Sequence, residues 1–250
     1  MRAVAFARAG SALALFALLA ACTRPPEIVK RQAYVFGTLV EVSAVATPQA
    51  DAALAAVLAR FDALHRQLHA WQPGELARLN AALAAGEPFT ATPELAAMLR
   101  EAQALARLSG GKFDPAIGHL IALWGFQSDA PAGRVPAAAE VAALVRQHPT
   151  IADLRIAGTT VSSPNRALKL DLGGYAKGRA LDEAAAMLRA RGVRNALVNI
   201  GGNVLALGDA GGRAWRVGIQ DPRAPGTLAT LELRDGEALG TSGDYQRYFE

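Results

Sequence analysis

Apolar and polar residues alternate from Tyr34 to Val45, with one interruption at Gly37, and a period of two predicts a strand. The period then changes. Leu54, Val57, Leu58, Phe61, Leu64 and Leu68 recur at helical spacing behind the start signal Thr47-Pro48, which predicts a helix ending near His69. Trp71 to Glu75, around Pro73-Gly74, reads as a loop, and Leu76 to Ala84 as a short helix. Thr92-Pro93 repeats the start signal. Leu95, Met98, Leu99, Ala102, Leu105 and Ala106 form the stripe that follows, and Gly110-Gly111 stops it. Asp114-Pro115 opens a further short helix toward Trp124, Gln127 to Val135 reads as a loop, and a helix is expected over about Pro136 to His148.

The character of the chain changes after Thr150. Short alternating runs predict strands at Leu154–Ile156, Thr160–Ser162, Leu168–Leu172, Ala196–Ile200, Val204–Leu207, Trp215–Gln220, Leu228–Leu233 and Glu237–Thr241, separated by turns such as Gly201-Gly202 and Asp235-Gly236. One helix, from near Ala176 to Arg191, breaks the series before Gly192. Strands joined by hairpins imply an antiparallel sheet, so the expected class is α+β, with helices packed on that sheet.

The stretch Leu168 to Gly178 carries the most chemistry. Leu168, Leu170 and Leu172 share one strand face, Asp171 projects from the other, and Gly173-Gly174 supply a tight turn into the helix. Free amides at a helix start favour phosphate, and Lys177 adds charge nearby. A carboxylate beside them can take a metal or a ligand hydroxyl. The same residues also suit an ordinary strand-to-helix turn, so on their own they leave both readings open.

Composition narrows the field. In 250 residues, 52% hydrophobic, there is enough apolar surface for one large core or two small ones. Arg2 and Arg8, an uncharged run from Ala9 to Ala21 and the close Leu19-Ala20-Ala21-Cys22 read as a secretory signal over 1–21. Cys22, the single cysteine, stands where a lipobox carries its lipid, so acylation of Cys22 and a tether over 22–33 are expected, with the rest, 34–250, as one domain. The expected location is the bacterial envelope, lipid-anchored and facing the periplasm or the exterior. The formal charge of +4 includes Arg2 and Arg8, and without them 24 basic residues face 22 acidic ones. With no Lys/Arg cluster interleaved with aromatics, nucleic acid is a poor expectation as a partner. His65, His69, His119 and His148 show no metal spacing, and Ser109, Thr241 and Ser242 lack a linked base.

Six polar segments lie between the regular elements: Phe36-Gly37-Thr38, Trp71 to Asn80, Gly110 to Pro115, Asp171 to Gly178, Val198 to Asn203, and Thr241 to Phe249. In this order they resemble the FAD:protein FMN transferases, the ApbE family, once named thiamine-biosynthesis lipoproteins. The run Gly111-Lys112-Phe113-Asp114-Pro115-Ala116-Ile117-Gly118 leading to Leu123-Trp124-Gly125-Phe126 is the most specific part of the resemblance. The resemblance implies a T-fold-like architecture. It implies an Mg2+-dependent enzyme that cleaves FAD and attaches FMN through a phosphoester to a threonine or serine of a partner, typically a subunit of a membrane redox complex.

Carried over residue by residue, the resemblance places Phe36, Trp71, Lys112, Phe113, Asp114, Asp171 and Lys177 at FAD, and the Gly174 carbonyl at Mg2+. It assigns no catalytic residue in this chain. Each position also has a plainer use: core packing for Phe36 and Trp71, a helix cap for Asp114, a solvated first turn for Lys177. The family pattern continues past Glu250 with a His-Ile-Asp-Pro-type motif and further metal ligands, so the resemblance implies a C-terminally truncated form with little transfer activity. Two other readings stay open: a tethered FAD-binding lipoprotein without transfer, and hydrolysis of FAD to FMN and AMP.

Overall fold

The structure is a computed structural model and describes residues 25–128 and 134–243. Cys22 and the signal-like residues before it lie outside the described residues, as do the Gln127–Val135 loop's centre and the segment after Gly243.

The chain opens with a hairpin, β1 (Ile28–Val35) and β2 (Thr38–Val45). The alternation at Tyr34–Val45 is therefore two strands joined at Phe36-Gly37, and residues 28–33, expected as tether, belong to the sheet. Their outward Lys30 and Arg31 pair with Glu41 and Asp51, a charged pattern suited to an edge strand and poor in period-two signal. Then come α1 (Ala50–Leu68), α2 (Glu75–Ala85), β3 (Phe89–Thr90), α3 (Pro93–Leu108), α4 (Gly118–Leu123) and α5 (Ala138–Val145). The second half holds β4 (Arg155–Ala157), β5 (Thr160–Ser162), α6 (Gly173–Ala190), β6 (Ala196–Ile200), β7 (Asn203–Leu207), β8 (Trp215–Gln220), β9 (Thr227–Leu233) and β10 (Ala238–Gly240).

The main sheet has the order β1-β2-β6-β7-β10, every pair antiparallel, and two smaller sheets run β3-β5-β4 and β8-β9. The α+β class expected from the hairpin pattern holds. Val40, Val42 and Ala44 of β2 and Val198 and Ile200 of β6 are buried in one core with the stripes of α1 and α6. Phe61 sits at its centre, fully buried; truncation of such a ring costs about 3–5 kcal/mol. β7 is buried on both faces. Leu205 and Leu207 join the helical core, while Val204 and Ala206 pack with Trp215 and Leu233 of the β8–β9 hairpin. That explains its near-continuous apolar run.

Thr92 caps α3 as its sequence implies, its hydroxyl accepting from Leu95 N–H at 3.2 Å. Thr47-Pro48 lies one step outside α1, where Gln49 is the cap and the Thr47 carbonyl accepts from Ala50 N–H. The segment Leu168–Leu172 is not a strand. It makes one bridge, Lys169 to Ile117, because its neighbours are fragments and side chains rather than another strand. α6 also starts earlier than expected, at Gly173, so Gly173-Gly174 form its first turn instead of a separate glycine turn. Asp114-Pro115 likewise precede α4 instead of opening it.

Topology gathers the polar segments. The β1–β2 turn at Phe36-Gly37 and the β6–β7 turn at Gly201-Gly202 lie at the same sheet end, since Val40 pairs with Ile200. Gly201 has φ +54°, and a Cβ there would collide with Thr38. Thr241 N–H donates to the Gly202 carbonyl at 3.1 Å, bringing the third segment alongside. α1 returns antiparallel to β2 and finishes at this end. α6 leads into β6 and therefore starts at this end.

Candidate functional site

The polar half of the site is built around Leu168–Leu172. Asn80, buried on α2, holds this segment by both backbone groups of Leu170: its Nδ2 donates to the carbonyl at 2.9 Å and its Oδ1 accepts from the N–H at 2.8 Å. On the other side Asp171 N–H donates to the Pro115 carbonyl at 2.8 Å, and Gly118 N–H to the Lys169 carbonyl at 2.9 Å. Gly118 is required by that approach, because a Cβ would stand 2.7 Å from the same carbonyl oxygen.

Asp171 therefore has a fixed backbone, and its side chain is fixed as well. Oδ1 accepts from Gly173 N–H at 2.9 Å and Oδ2 from Gln127 Nε2 at 2.9 Å, while Lys169 Nζ donates to Gln127 Oε1 at 2.7 Å. An ammonium only donates and a carboxylate only accepts, so the Gln127 amide has one workable orientation. The chain Lys169–Gln127–Asp171 aims one negative group beside the exposed first turn of α6. That turn carries no acidic residue, and Leu172, its cap, gives it no side-chain bond. Its amide end is suited to an anion.

Phe113 and Gly174 meet here. A Cβ on Gly174 would make ordinary contact with the Phe113 ring, at 3.7 Å. The two border a groove of about 550 Å3 between α3 and α6, whose walls include Leu105, Leu108, Tyr175 and Gly178. Tyr175 donates to Glu101 at 2.6 Å, and burial together with that bond pushes its phenol well above the ordinary range. Lys112 is exposed on the preceding turn, and Lys177 is half-buried in the first turns of α6. Asp114 is used inside the fold: its oxygens accept from Ala116 N–H, Ile151 N–H and the Thr150 hydroxyl, the last at 2.6 Å. It positions the Lys112–Phe113 turn.

The aromatic half runs along the end of α1. Phe36, held at φ +56°, tilts against Phe61 with ring centroids 6.0 Å apart and meets His65 edge-on at 5.6 Å. His65 and His69 follow at 5.0 Å, and His69 and Trp71 meet edge-on at 4.3 Å. The row leads from a buried phenylalanine to an indole 38% exposed. Burial pushes the His65 imidazole below its usual range. It does the same to His119, with Lys169 adding to the effect.

The structure thus brings Phe113, Gly174 and Asp171 together, places Phe36 and Trp71 in one aromatic row, and joins the two halves through α2, which follows the Trp71 loop and carries Asn80. Asn80, Gln127, Lys169 and Thr150 were not singled out by the sequence. Two of them had a signal: Asn80 is a polar side chain on the buried face of a helix beside Leu76, Leu79 and Leu83, and Lys169 shares the polar face of the Leu168–Leu172 run with Asp171.

The model of the ApbE family matches residues 36–250. The chain belongs to the ApbE family. Among its relatives, the FAD:protein FMN transferase of Rhodobacter capsulatus is 49% identical over 97% of this chain and 48% of its own length. The FAD:protein FMN transferase of Vibrio cholerae is 33% identical over 96% of this chain and 73% of its own length. The crystal structure of the ApbE protein of Thermotoga maritima superposes with a TM-score of 0.81 and 28% identity, covering 90% of this chain and 73% of that one. This ApbE-family chain therefore spans about half of the first relative and about three quarters of the other two.

The donor set for Mg2+ can be tested against these residues. Among the described residues no three His, Cys, Asp or Glu side chains converge. Both Asp171 oxygens already accept hydrogen bonds, and Gly174 lies within a helix, where its carbonyl faces the ladder. Mg2+ asks for about six oxygens. The described residues do not complete such a set.

Proposed function

We propose that this chain acts as an FAD:protein FMN transferase. A threonine or serine oxygen of a partner protein attacks the FMN-side phosphorus of FAD. The bond from that phosphorus to the AMP oxygen breaks, AMP leaves, and the hydroxyl proton passes to a base not assigned among the described residues. The observation that carries the reading is the family match over residues 36–250.

The site's chemistry supports it. A dinucleotide needs apolar platforms, a group for its hydroxyls and cationic help at two phosphates. Phe36, Trp71 and Phe113 are the proposed platforms. Asp171 is the proposed acceptor for a ligand hydroxyl. The amide end of α6, with Lys177 and Lys112, is the proposed phosphate side, and Asp114 holds the Lys112–Phe113 turn. Mg2+ belongs to the proposal as the ion that would neutralise pyrophosphate charge.

Acylated Cys22 would tether the domain to the bacterial envelope, facing the periplasm or the exterior, with a subunit of a membrane redox complex as acceptor. Among the described residues no helix is long and apolar enough to cross a membrane.

The test mixes the full chain in detergent with FAD, Mg2+ and a candidate acceptor subunit, and reads flavin fluorescence on a denaturing gel. A fluorescent acceptor band that disappears when its threonine is replaced by alanine is the expected result. FAD left intact, or FMN and AMP released with a dark acceptor, would overturn the transferase reading for this chain.

A further inference from the structure

We propose that His69, as a neutral imidazole protonated on Nε2, is the positioning residue that sets the place of Trp71. Nothing in the family resemblance or the metal spacing assigns this histidine a role. The proposal deepens the transferase reading and rests on it only where FAD affinity is the readout.

The geometry points this way from three sides. His69 is the cap residue at the end of α1, turned out of the helix at φ −67°, ψ 123° and nearly fully buried. Its Nδ1 accepts from Gln72 N–H at 3.1 Å and lies 3.5 Å from Trp71 N–H. A ring nitrogen that accepts carries no proton, so in the neutral ring the proton must sit on Nε2. The same ring stands edge-on to the Trp71 indole at 4.3 Å, within the range where such pairs add to burial. One side chain thus holds the loop backbone at Gln72, next to Trp71, and faces the Trp71 ring.

The approach is held from behind. His65 packs against His69 at 5.0 Å and is itself met by Phe36. Glu75, at the other end of the loop, is buried and bonds Thr92 N–H at 2.6 Å and Gln67 Nε2 at 2.8 Å. With α1 fixed at His69 and α2 fixed at Glu75, the short loop between them has little freedom, and the imidazole selects its remaining conformation. Trp71 is more exposed than any other member of the row, so its orientation is not set by burial. Without the imidazole it would sample several rotamers at no great cost.

The experiment has two arms. The first is independent of flavin: nitrogen NMR of the full chain labelled at histidine, near pH 7.5. An unprotonated Nδ1 and a protonated Nε2 on His69 are expected, and the opposite tautomer would overturn the proposal. The second arm measures FAD affinity for His69→Ala, His69→Asn, Trp71→Ala and the double variant His69→Ala/Trp71→Ala. His69→Ala should weaken binding about three- to tenfold, the scale of one or two lost hydrogen bonds. His69→Asn, whose Oδ1 can accept in place of Nδ1, should recover most of it. In the Trp71→Ala background, removal of His69 should cost nothing further. An undiminished second loss, or no rescue by asparagine, would overturn the positioning role. If Trp71→Ala leaves FAD affinity unchanged, the flavin platform reading of Trp71 falls, while the tautomer arm still decides His69.

Discussion

The two halves of the site are held by different physics. Around Asp171 nearly every polar group has a named partner: Asn80 on both sides of Leu170, Pro115 at the Asp171 amide, Gln127 and Gly173 at its carboxylate. Directional bonds of this kind fix a charged group to a fraction of an ångström before any ligand arrives. The row from Phe36 to Trp71 is held by ring contacts and by the single imidazole of His69. Ring contacts tolerate sliding. On the proposed reading the difference matches two tasks: a carboxylate that accepts a ligand hydroxyl must be placed, whereas a platform under a flat ring system need only be present and roughly oriented.

The largest effect should come from the polar half. Asn80→Leu leaves the Leu170 N–H and carbonyl without partners in a buried setting. At about 1–3 kcal/mol for each group, stability should fall by roughly 2–6 kcal/mol, and Tm by about 4–24 °C in a domain of this size. Calorimetry checks it. A loss under 2 °C would mean, on the same scale, that the segment finds other partners and that the polar half is less determined than it looks.

Asp171→Ala should act on binding and spare the fold, because Asp171 is only half-buried and its backbone bond to Pro115 remains. Loss of a charge-assisted bond predicts FAD affinity lower by about ten- to a hundredfold. Gln127→Ala, which removes the donor that aims the carboxylate, should show a smaller version of the same loss. Isothermal titration measures both. Equal FAD affinity in folded Asp171→Ala protein would remove this carboxylate from the site.

The same contrast governs what could be read from the sequence. Helical stripes such as Leu54, Val57, Phe61, Leu64 and Leu68 announce themselves because period and burial coincide over many residues. So do the hairpins of the second half. Leu168–Leu172 alternates as a strand does, yet its partners are an asparagine 90 residues away and a fragment near Ile117, and no local pattern records them. The first turn of α6 was masked by its glycines, which read as punctuation but take ordinary helical geometry here. Asp114 shows the limit of a motif: it is present where the resemblance requires it, but its carboxylate faces Thr150 and Ile151, a contact invisible in spacing. Gln127, which aims Asp171, comes from a separate segment and carries no local pattern, whereas Lys169 stands two residues before Asp171 on the same face of the alternating run.

The smallest predicted effect tests how the halves are kept in register. α1 carries the histidines and α6 begins at the Asp171 turn, and the two helices are tied by Arg60, which bonds Glu183 at 2.6 Å and also pairs with Glu94. Glu183 accepts from Arg179 as well, at 2.8 Å. Burial alone would push the Glu183 carboxyl up, but the bonds from Arg60 and Arg179 outweigh it and hold the group below its usual range. A depressed folded-state pKa means that the unfolded chain takes up the proton first as pH falls. The stabilisation is therefore complete above the ordinary glutamate range and drains away as pH drops through and below it. Glu183→Gln should lower Tm by about 2–4 °C at pH 7, the scale of one partly screened ion pair, and the difference from the unaltered chain should shrink as pH falls through and below the ordinary glutamate range. FAD affinity should drop slightly and together with stability, since Glu183 itself lines neither half of the site. A pH-independent Tm difference would show that Glu183 acts through packing. A large loss of FAD affinity at unchanged Tm would show that the separation of the two halves, and not the order within each, is what the ligand reads.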